Sequence, residues 1–284
     1  ASFTSTTANG SKGVGDQIDI VATMSAGDYI VKGSSITVTL NSSSTATAVL
    51  TADANGNTMT GTYTVRAGDS NPDLSVASFV QTSPVTDIYN NTMSQSSLPS
   101  TNIADGSALD VDGAPPTSAI TSAAYNDTDN TIVLTGTGFD TIDGGANGAN
   151  IKTQMDWTKF TWDIDGDSTA TGGTFVVGDI TSTVVTSATQ LTITLAQSGV
   201  DKLEGTAGEG VPGFAASSKG ATYPDPDNID ILAGFISDDA GNAATTDAAT
   251  DIVPSYADQS APTIASFTST TANGSKGVGD QIDI

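Results

Sequence analysis

The stretch SITVTLNSSSTATAVLTADANGNTMTGTYTV, Ser35 to Val65, decides the fold class. Within it SITVTL (Ser35 to Leu40), TAVLTA (Thr47 to Ala52) and MTGTYTV (Met59 to Val65) alternate between core-type and solvent-type residues, the two-residue period of a half-buried strand. DANGN (Asp53 to Asn57) joins the last two runs, and its Asn-Gly pair predicts a tight hairpin. Three strands in 31 residues, with no room for a helix between them, imply an antiparallel sheet.

The same texture continues in both directions. Further strands are expected at Gln17 to Val21, Leu74 to Val80 and Ser107 to Val111. After DVDGAPP (Asp110 to Pro116) a second set begins: Ala119 to Tyr125, Thr131 to Thr137, Phe160 to Asp165, Thr174 to Val177 and Leu191 to Ala196. Ala196 to Gly205 carries the one helical turn, with Val200 and Leu203 on one side. Short Thr-, Ser-, Val- and Ile-rich runs separated by Gly, Asn and Asp clusters are the signature of an all-β sandwich. Thr206 to Asp227 is long for a connection in a compact domain and reads as a surface insertion.

ASFTSTTANGSKGVGDQIDI opens the chain at Ala1 and recurs without a change at Ala265 to Ile284, so the period is 265 minus 1, or 264 residues. Identity of that quality points to a recently duplicated unit in a tandem array. The expectation is one full repeat followed by the first strands of the next, an excerpt of something longer. DVDGAPP and YADQSAP (Tyr256 to Pro262) are both acidic, both end in Pro and both precede a strand, so they read as linkers. They divide the chain into sandwiches at 1–112 and 113–258, with 259–284 as linker and start of the next repeat.

Eight basic residues stand against 32 acidic ones, for a net charge of -24. Such a surface repels phosphate backbones, which argues against a nucleic-acid partner. No run of about 18 apolar residues is present, so no membrane insertion is expected in this segment. Cys and His are both absent, which removes disulfides, thiolate metal sites and the commonest general base. Only Glu204 and Glu209 are Glu, leaving 32 minus 2, or 30, Asp. Asp suits turns and hard-cation sites, which one-sided use of it favours over mere solubility.

The chain resembles the immunoglobulin-like (Ig-like) repeats of giant bacterial surface adhesins and related surface-layer or biofilm-matrix proteins. The residues that carry the resemblance are APTIASF at the second copy's entry, GVGDQIDI, TYTVRAGDSNPDL, a late ADG, and GFISDDAGNAATTD with its D-x-x-G-N closing segment. The match runs from Asp258 through the repeat boundary to Leu74 in repeat order, and is weak over the insertion. The resemblance implies two tandem Ig-like, Greek-key sandwiches. It also implies an exported, calcium-stiffened extension module without enzymatic activity, at the cell surface.

Calcium takes six to eight hard oxygens, and Asp in Gly- and Asn-rich loops supplies them. In the first domain GDSNPD places Asp69 and Asp73 on one loop, with Asp16 or Asp105 as further ligands from neighbouring loops. Carboxylates that close repel one another unless a cation intervenes. At the linkers Asp110 and Asp112 lie beside Pro115 and Pro116, and Asp258 precedes Pro262, so a cation there could clamp two domains at one angle. DIDGD contributes Asp163, Asp165 and Asp167 but has Thr174 where an EF-hand has its twelfth-position Glu, so a β-sheet loop is expected rather than an EF-hand. Asp238, in GFISDDAGNAATTD, completes the candidate metal set. In each case the alternative is a solvated turn bonded to its own backbone.

Catalysis finds no support in the residue types. No Ser has a His to activate it, Asp pairs arise by chance in so acidic a chain, and DGGANGAN (Asp143 to Asn150) lacks the Lys of a phosphate loop. Trp157 and Trp162 are expected in the core rather than on a carbohydrate platform. The reading is a structural repeat of a long extracellular adhesin or fibre whose partners are neighbouring repeats of the same protein. Its structural rival is a subunit that assembles laterally into a layer or filament, through Thr206 to Asp227, Val85 to Asn102 or a donated strand. A carbohydrate-binding module is the third reading.

Overall fold

The computed structural model describes residues 1–142, 148–163, 174–204, 228–257, 268–271, 274–279 and 281. Its buried apolar side chains fall into two clusters, one from Phe3 to Val111 and one from Ile120 to Ile252. Each cluster is the core of one β-sheet unit.

The first unit comprises Ser2–Ser5 (β1), Gly10–Lys12 (β2), Gln17–Thr23 (β3), Ser35–Leu40 (β4), Thr47–Thr51 (β5), Thr58–Thr64 (β6), Ser70–Asn71 (β7), Val76–Gln81 (β8) and Leu109–Asp112 (β9). Six strands form one antiparallel sheet in the order β1-β3-β6-β5-β4-β8, and a small second sheet has the order β2-β9-β7. The alternation read in the sequence points the right residues inward. Ile36, Val38 and Leu40 of β4 are almost wholly buried, as are Ile18, Ile20 and Ala22 of β3. Burying each large aliphatic contributes about 1.5–3 kcal/mol. Leu109 and Val111 of β9 join the same cluster from the second sheet, which makes the unit sandwich-like.

The second unit comprises Ala119–Asn126 (β10), Thr131–Thr137 (β11), Phe160–Asp163 (β12), Ile180–Ser187 (β13), Gln190–Leu195 (β14), the helix Gln197–Glu204 (α1), Asn228–Ile231 (β15), Ala249–Ile252 (β16) and Ser255–Ala257 (β17). Its sheets have the orders β13-β14-β11-β10-β17 and β12-β15-β16. Trp157, Phe160, Phe175 and Phe235 meet edge-on or tilted at centroid distances of 5.3–6.1 Å, a geometry aromatic rings favour. Trp157 and Trp162 are only 4% and 1% exposed, so neither ring forms a surface platform. Val200 and Leu203 dock α1 onto this core, as expected from the sequence. The chain is all-β apart from this helix and short 3-10 turns among the described residues.

Two local expectations differ from the structure, and one long strand was not foreseen. Asn55-Gly56 does not make a two-residue hairpin, because neither residue has the positive φ that such a turn requires. Gly56 instead bridges Ile30, Asn55 Oδ1 accepts from the Lys32 amide at 2.8 Å, and the registered β5–β6 pair is Thr51 with Thr60. The run Thr174 to Val177 is not a strand: Asp179 Oδ2 accepts from the Val176 amide at 2.9 Å and winds Val177–Asp179 into a 3-10 turn. In its place β13, absent from the sequence reading, forms an eight-residue strand.

In each unit an early strand and the last strand run parallel and adjacent. β2 pairs with β9, Lys12 opposite Val111, and β10 pairs with β17, Asn126 opposite Ala257. Parallel partners point the same way, so the chain enters each unit at one end and leaves at the other.

Candidate functional site: the joint between the units

Where the first unit ends and the second begins, three segments meet: the loop after β2, the end of β9, and the turn Asp238 to Asn242 between β15 and β16. The turn builds itself from its two ends. The Asn242 amide donates to Asp238 Oδ1 at 2.8 Å, Asn242 Nδ2 donates to Asp238 Oδ2 at 2.9 Å, and Ser237 bridges Ala243. Gly241, at φ 83°, takes the left-handed position that closes the turn.

The same Asn242 side chain crosses to the first unit. Its Oδ1 accepts from the Val14 amide at 2.8 Å, and its Nδ2 donates to the Asp112 carbonyl at 2.9 Å. Gly13 makes this approach feasible, because a Cβ there would run into the Ala240 carbonyl oxygen. Asp16 holds the receiving loop in shape by accepting from the Gly13 amide at 3.0 Å. Ser11 Oγ lies 3.2 Å from Asp110 Oδ2 and 3.4 Å from Asp239 Oδ2, which links the units a second time.

Burial makes this joint electrostatically costly. Asp238 is 2% exposed, and desolvation raises its pKa above the usual carboxylate value. The two Asn242 hydrogen bonds pull the other way, while Asp112 and Asp239 add like-charge repulsion.

Of the sequence-predicted ligands, the structure thus gathers Asp16, Asp110, Asp112 and Asp238 at one joint, although 222 positions (238 minus 16) separate the outermost two. It places the others elsewhere. Asp69 is buried, and its carboxylate accepts from the Tyr63 hydroxyl and, at 3.1 Å, from the Arg66 amide. Burial, reinforced by the Asp69 hydrogen bond, pushes the Tyr63 hydroxyl up to about 12. The Asp69 carbonyl accepts from the Gly113 amide at 2.7 Å and ties this corner to the linker. Asp73 is exposed, on a turn closed by Asn71 Oδ1. Asp105 is exposed and caps a 3-10 turn through the Asn102 amide at 2.7 Å. Asp163 is fully buried and stands opposite Asn228, whose Oδ1 is buried with no hydrogen-bond partner. Asp165, Asp167 and Asp258 lie outside the described residues, as does the insertion 206–227. Among the described residues, no three carboxylates are grouped as a metal site.

Sequence reasoning missed Ser11, Gly13, Asp239 and Asn242. Only Asn242 had a signal, as the Asn of the D-x-x-G-N segment, and nothing local shows that its amide reaches another unit.

No protein-family model matches the chain, and no curated protein matches it. No helix among the described residues is long and apolar enough to cross a membrane.

Proposed function

We propose that the chain is a structural repeat of a long extracellular adhesin or fibre, without catalytic activity, in which Ig-like sandwiches act as spacers in series. The observation that carries this reading is the parallel pairing of β2 with β9 and of β10 with β17. Both units pass the chain from one end to the other, so each added unit lengthens the molecule. Tension applied along the chain loads these pairs in shear, across several hydrogen bonds at once. The neighbour relation β3–β6, which skips β4 and β5, supports a Greek-key connection. Each unit has its own core and meets its neighbour through a small polar joint, so stability is roughly additive along an array.

A calcium clamp at the joint is the second part of the proposal, and Asp238 favours it. A buried carboxylate repelled by Asp112 and Asp239 is relieved by a divalent cation, which would exchange that repulsion for attraction. Asp16 and Asp110 are further carboxylates in the joint.

The experiment is thermal unfolding and small-angle scattering of the full chain in millimolar calcium and in chelator. The expected result is an extended particle in both conditions, with a higher melting temperature and a narrower range of shapes in calcium, because a ligand that binds only the folded state stabilises it. A particle with its units folded side by side would overturn the spacer. Identical melting curves would overturn the clamp alone.

A further inference from the structure

The turn that makes the joint occurs twice in the molecule. Asp87 to Asn91 reproduces the bonds that close Asp238 to Asn242 and adds one, from the Tyr89 amide to Asp87 Oδ1 at 2.8 Å. The Asn91 amide donates to Asp87 Oδ1 at 2.8 Å and Asn91 Nδ2 donates to Asp87 Oδ2 at 2.8 Å. The Asp87 amide donates to the Asn91 carbonyl at 3.0 Å, matching the Asp238 amide and the Asn242 carbonyl at 3.2 Å. Thr86 bridges Thr92 where Ser237 bridges Ala243, and Asn90 at φ 66° takes the left-handed position of Gly241. Nothing in the local sequences, DIYNN against DDAGN, beyond their first and last residues reveals the equivalence.

The two turns differ in what covers them. Asn242 is 7% exposed beneath the first unit, whereas Asn91 is exposed. The ionisation of the paired Asp follows. Hydrogen bonds from Asn91 lower the pKa of solvent-facing Asp87, while desolvation raises that of Asp238. Around the exposed turn lie Tyr29, Ile88 and Tyr89, at 56%, 47% and 78% exposure, three large apolar side chains on one end of the unit. A groove of about 280 Å³ beside them runs between Ala1, Met24, Ile30, Val85 and Met93. Exposed apolar surface of this kind marks an interaction site.

Position identifies the occupant. In the second unit the turn sits at the end where the chain enters and faces the unit before it. In the first unit the turn also sits at the entry end, since Ala1 and Asn91 line the same groove. The β1–β3 register sets Ser2 opposite Thr23, so Ala1 falls opposite Met24, and a residue before Ala1 would fall opposite Ser25, which lines the groove. In the sequence, Ala261 to Ile264 stand immediately before the perfect copy of Ala1 to Ile20. We infer that the Asp87–Asn91 turn and the groove beside Ala1 form the docking face for the far end of a preceding copy of this chain. That end comprises the loop Asn126 to Asn130, which follows β10, and the end of its parallel partner β17 at Ala257. The inference rests on the tandem reading above and adds to it that the joint between repeats uses the same Asp-x-x-x-Asn device as the joint within one.

The test compares the 284-residue chain with a chain of two tandem repeats, using hydroxyl-radical labelling of Tyr89 and Met93. Docking covers one of the two copies, so labelling per copy should fall by about half, as contacts at an interface core exclude water. Asn91→Ala in the downstream copy should restore it, and so should a flexible Gly-Ser insertion after Ile264, which leaves both folds untouched. Equal labelling in the one- and two-repeat chains overturns the inference, as does a fall that survives the insertion. Scattering of the same two-repeat chain keeps the readings apart: an extended particle with unprotected Tyr89 sinks the docking face alone, and a side-by-side particle sinks the spacer.

Discussion

Asn242→Ala should unfasten the two units while leaving both folded. The substitution removes two bonds that cross the joint, from the Val14 amide at 2.8 Å and to the Asp112 carbonyl at 2.9 Å. At about 1 kcal/mol net each, the closed joint loses about 2 kcal/mol, or roughly thirtyfold in its population relative to open forms. Within the second unit the substitution also removes the donor to Asp238 Oδ2, a bond to a charged acceptor worth about 2 kcal/mol, while the backbone amide bond to Asp238 Oδ1 survives. The melting temperature of the second unit should therefore fall by roughly 5 °C, and that of the first should stay in place. The chain has no Cys, so single cysteines at exposed Val49 and Leu232 take spin labels without background. Pulsed electron resonance should give one narrow distance distribution for the parent and a broad one for Asn242→Ala. Gly13→Ala is the companion, because its Cβ clashes with the Ala240 carbonyl oxygen and presses on Asn242 Oδ1, while the bond from the Asn242 backbone amide to Asp238 Oδ1 stays in place. It should broaden the distribution and lower the second unit's melting temperature less than Asn242→Ala does. A narrow distribution in both variants would show that the joint angle does not depend on these bonds, and the reasoning would fail.

Two further predictions concern pH. Tyr63, raised to about 12 by burial and its bond to Asp69, is neutral in the folded state where an unfolded tyrosine ionises from its ordinary value of 10.0. Its contribution is complete below pH 10 and lost as pH rises through about 12, so Tyr63→Phe should flatten the alkaline loss of stability in that window, read by tyrosinate absorbance alongside denaturant titrations. Asp179 has the opposite sign: burial pushes its pKa up, but the Lys202 ammonium at 2.6 Å, the Val176 amide and Ser198 together outweigh it and leave it lowered from 3.8. That contribution is present above the unfolded value and lost as pH falls through the depressed one, so Lys202→Met should move the acid-unfolding midpoint to higher pH and loosen α1 first, measured by circular dichroism against pH.

How much could be read in advance depended on whether period two survived. It did in β4 and β11, whose bounds match the sequence reading at both ends, because every second residue is apolar and the bulges in their pairings fall on the partner strands, at Ala77 and Thr121. It failed in β13, where register shifts between Ile180 and Ser182 and between Val185 and Ser187 break the alternation, so that Ile180, Thr183 and Val185 share the core. A bulge moves later side chains to the other face, and no linear pattern survives it. β2 and β17, three residues each, exist only because a distant strand pairs with them. The joint was half legible for the same reason. Asp110 and Asp112 announce a linker, but Asp16 and Asp238 belong to it only after the sheets have brought the loop after β2 and the turn before β16 to one end.

The recurrence of one turn in two settings separates what a sequence encodes locally from what assembly adds. Asp87 with Asn91 and Asp238 with Asn242 close the same loop with the same bonds, so local chemistry suffices to build the turn. Their carboxylates nevertheless shift in opposite directions, because only one is roofed by another unit. The turn therefore exists before the joint and does not depend on it. Docking then costs desolvation of one carboxylate, which Asn242 offsets by bonding to Asp238 and to the neighbouring backbone through the same amide. A preformed turn loses little conformational entropy when it docks, so a joint with three crossing bonds can still hold one angle. Repeating such a joint along an array gives stiffness without large interfaces, and a cation that relieves the buried charge would tighten it further.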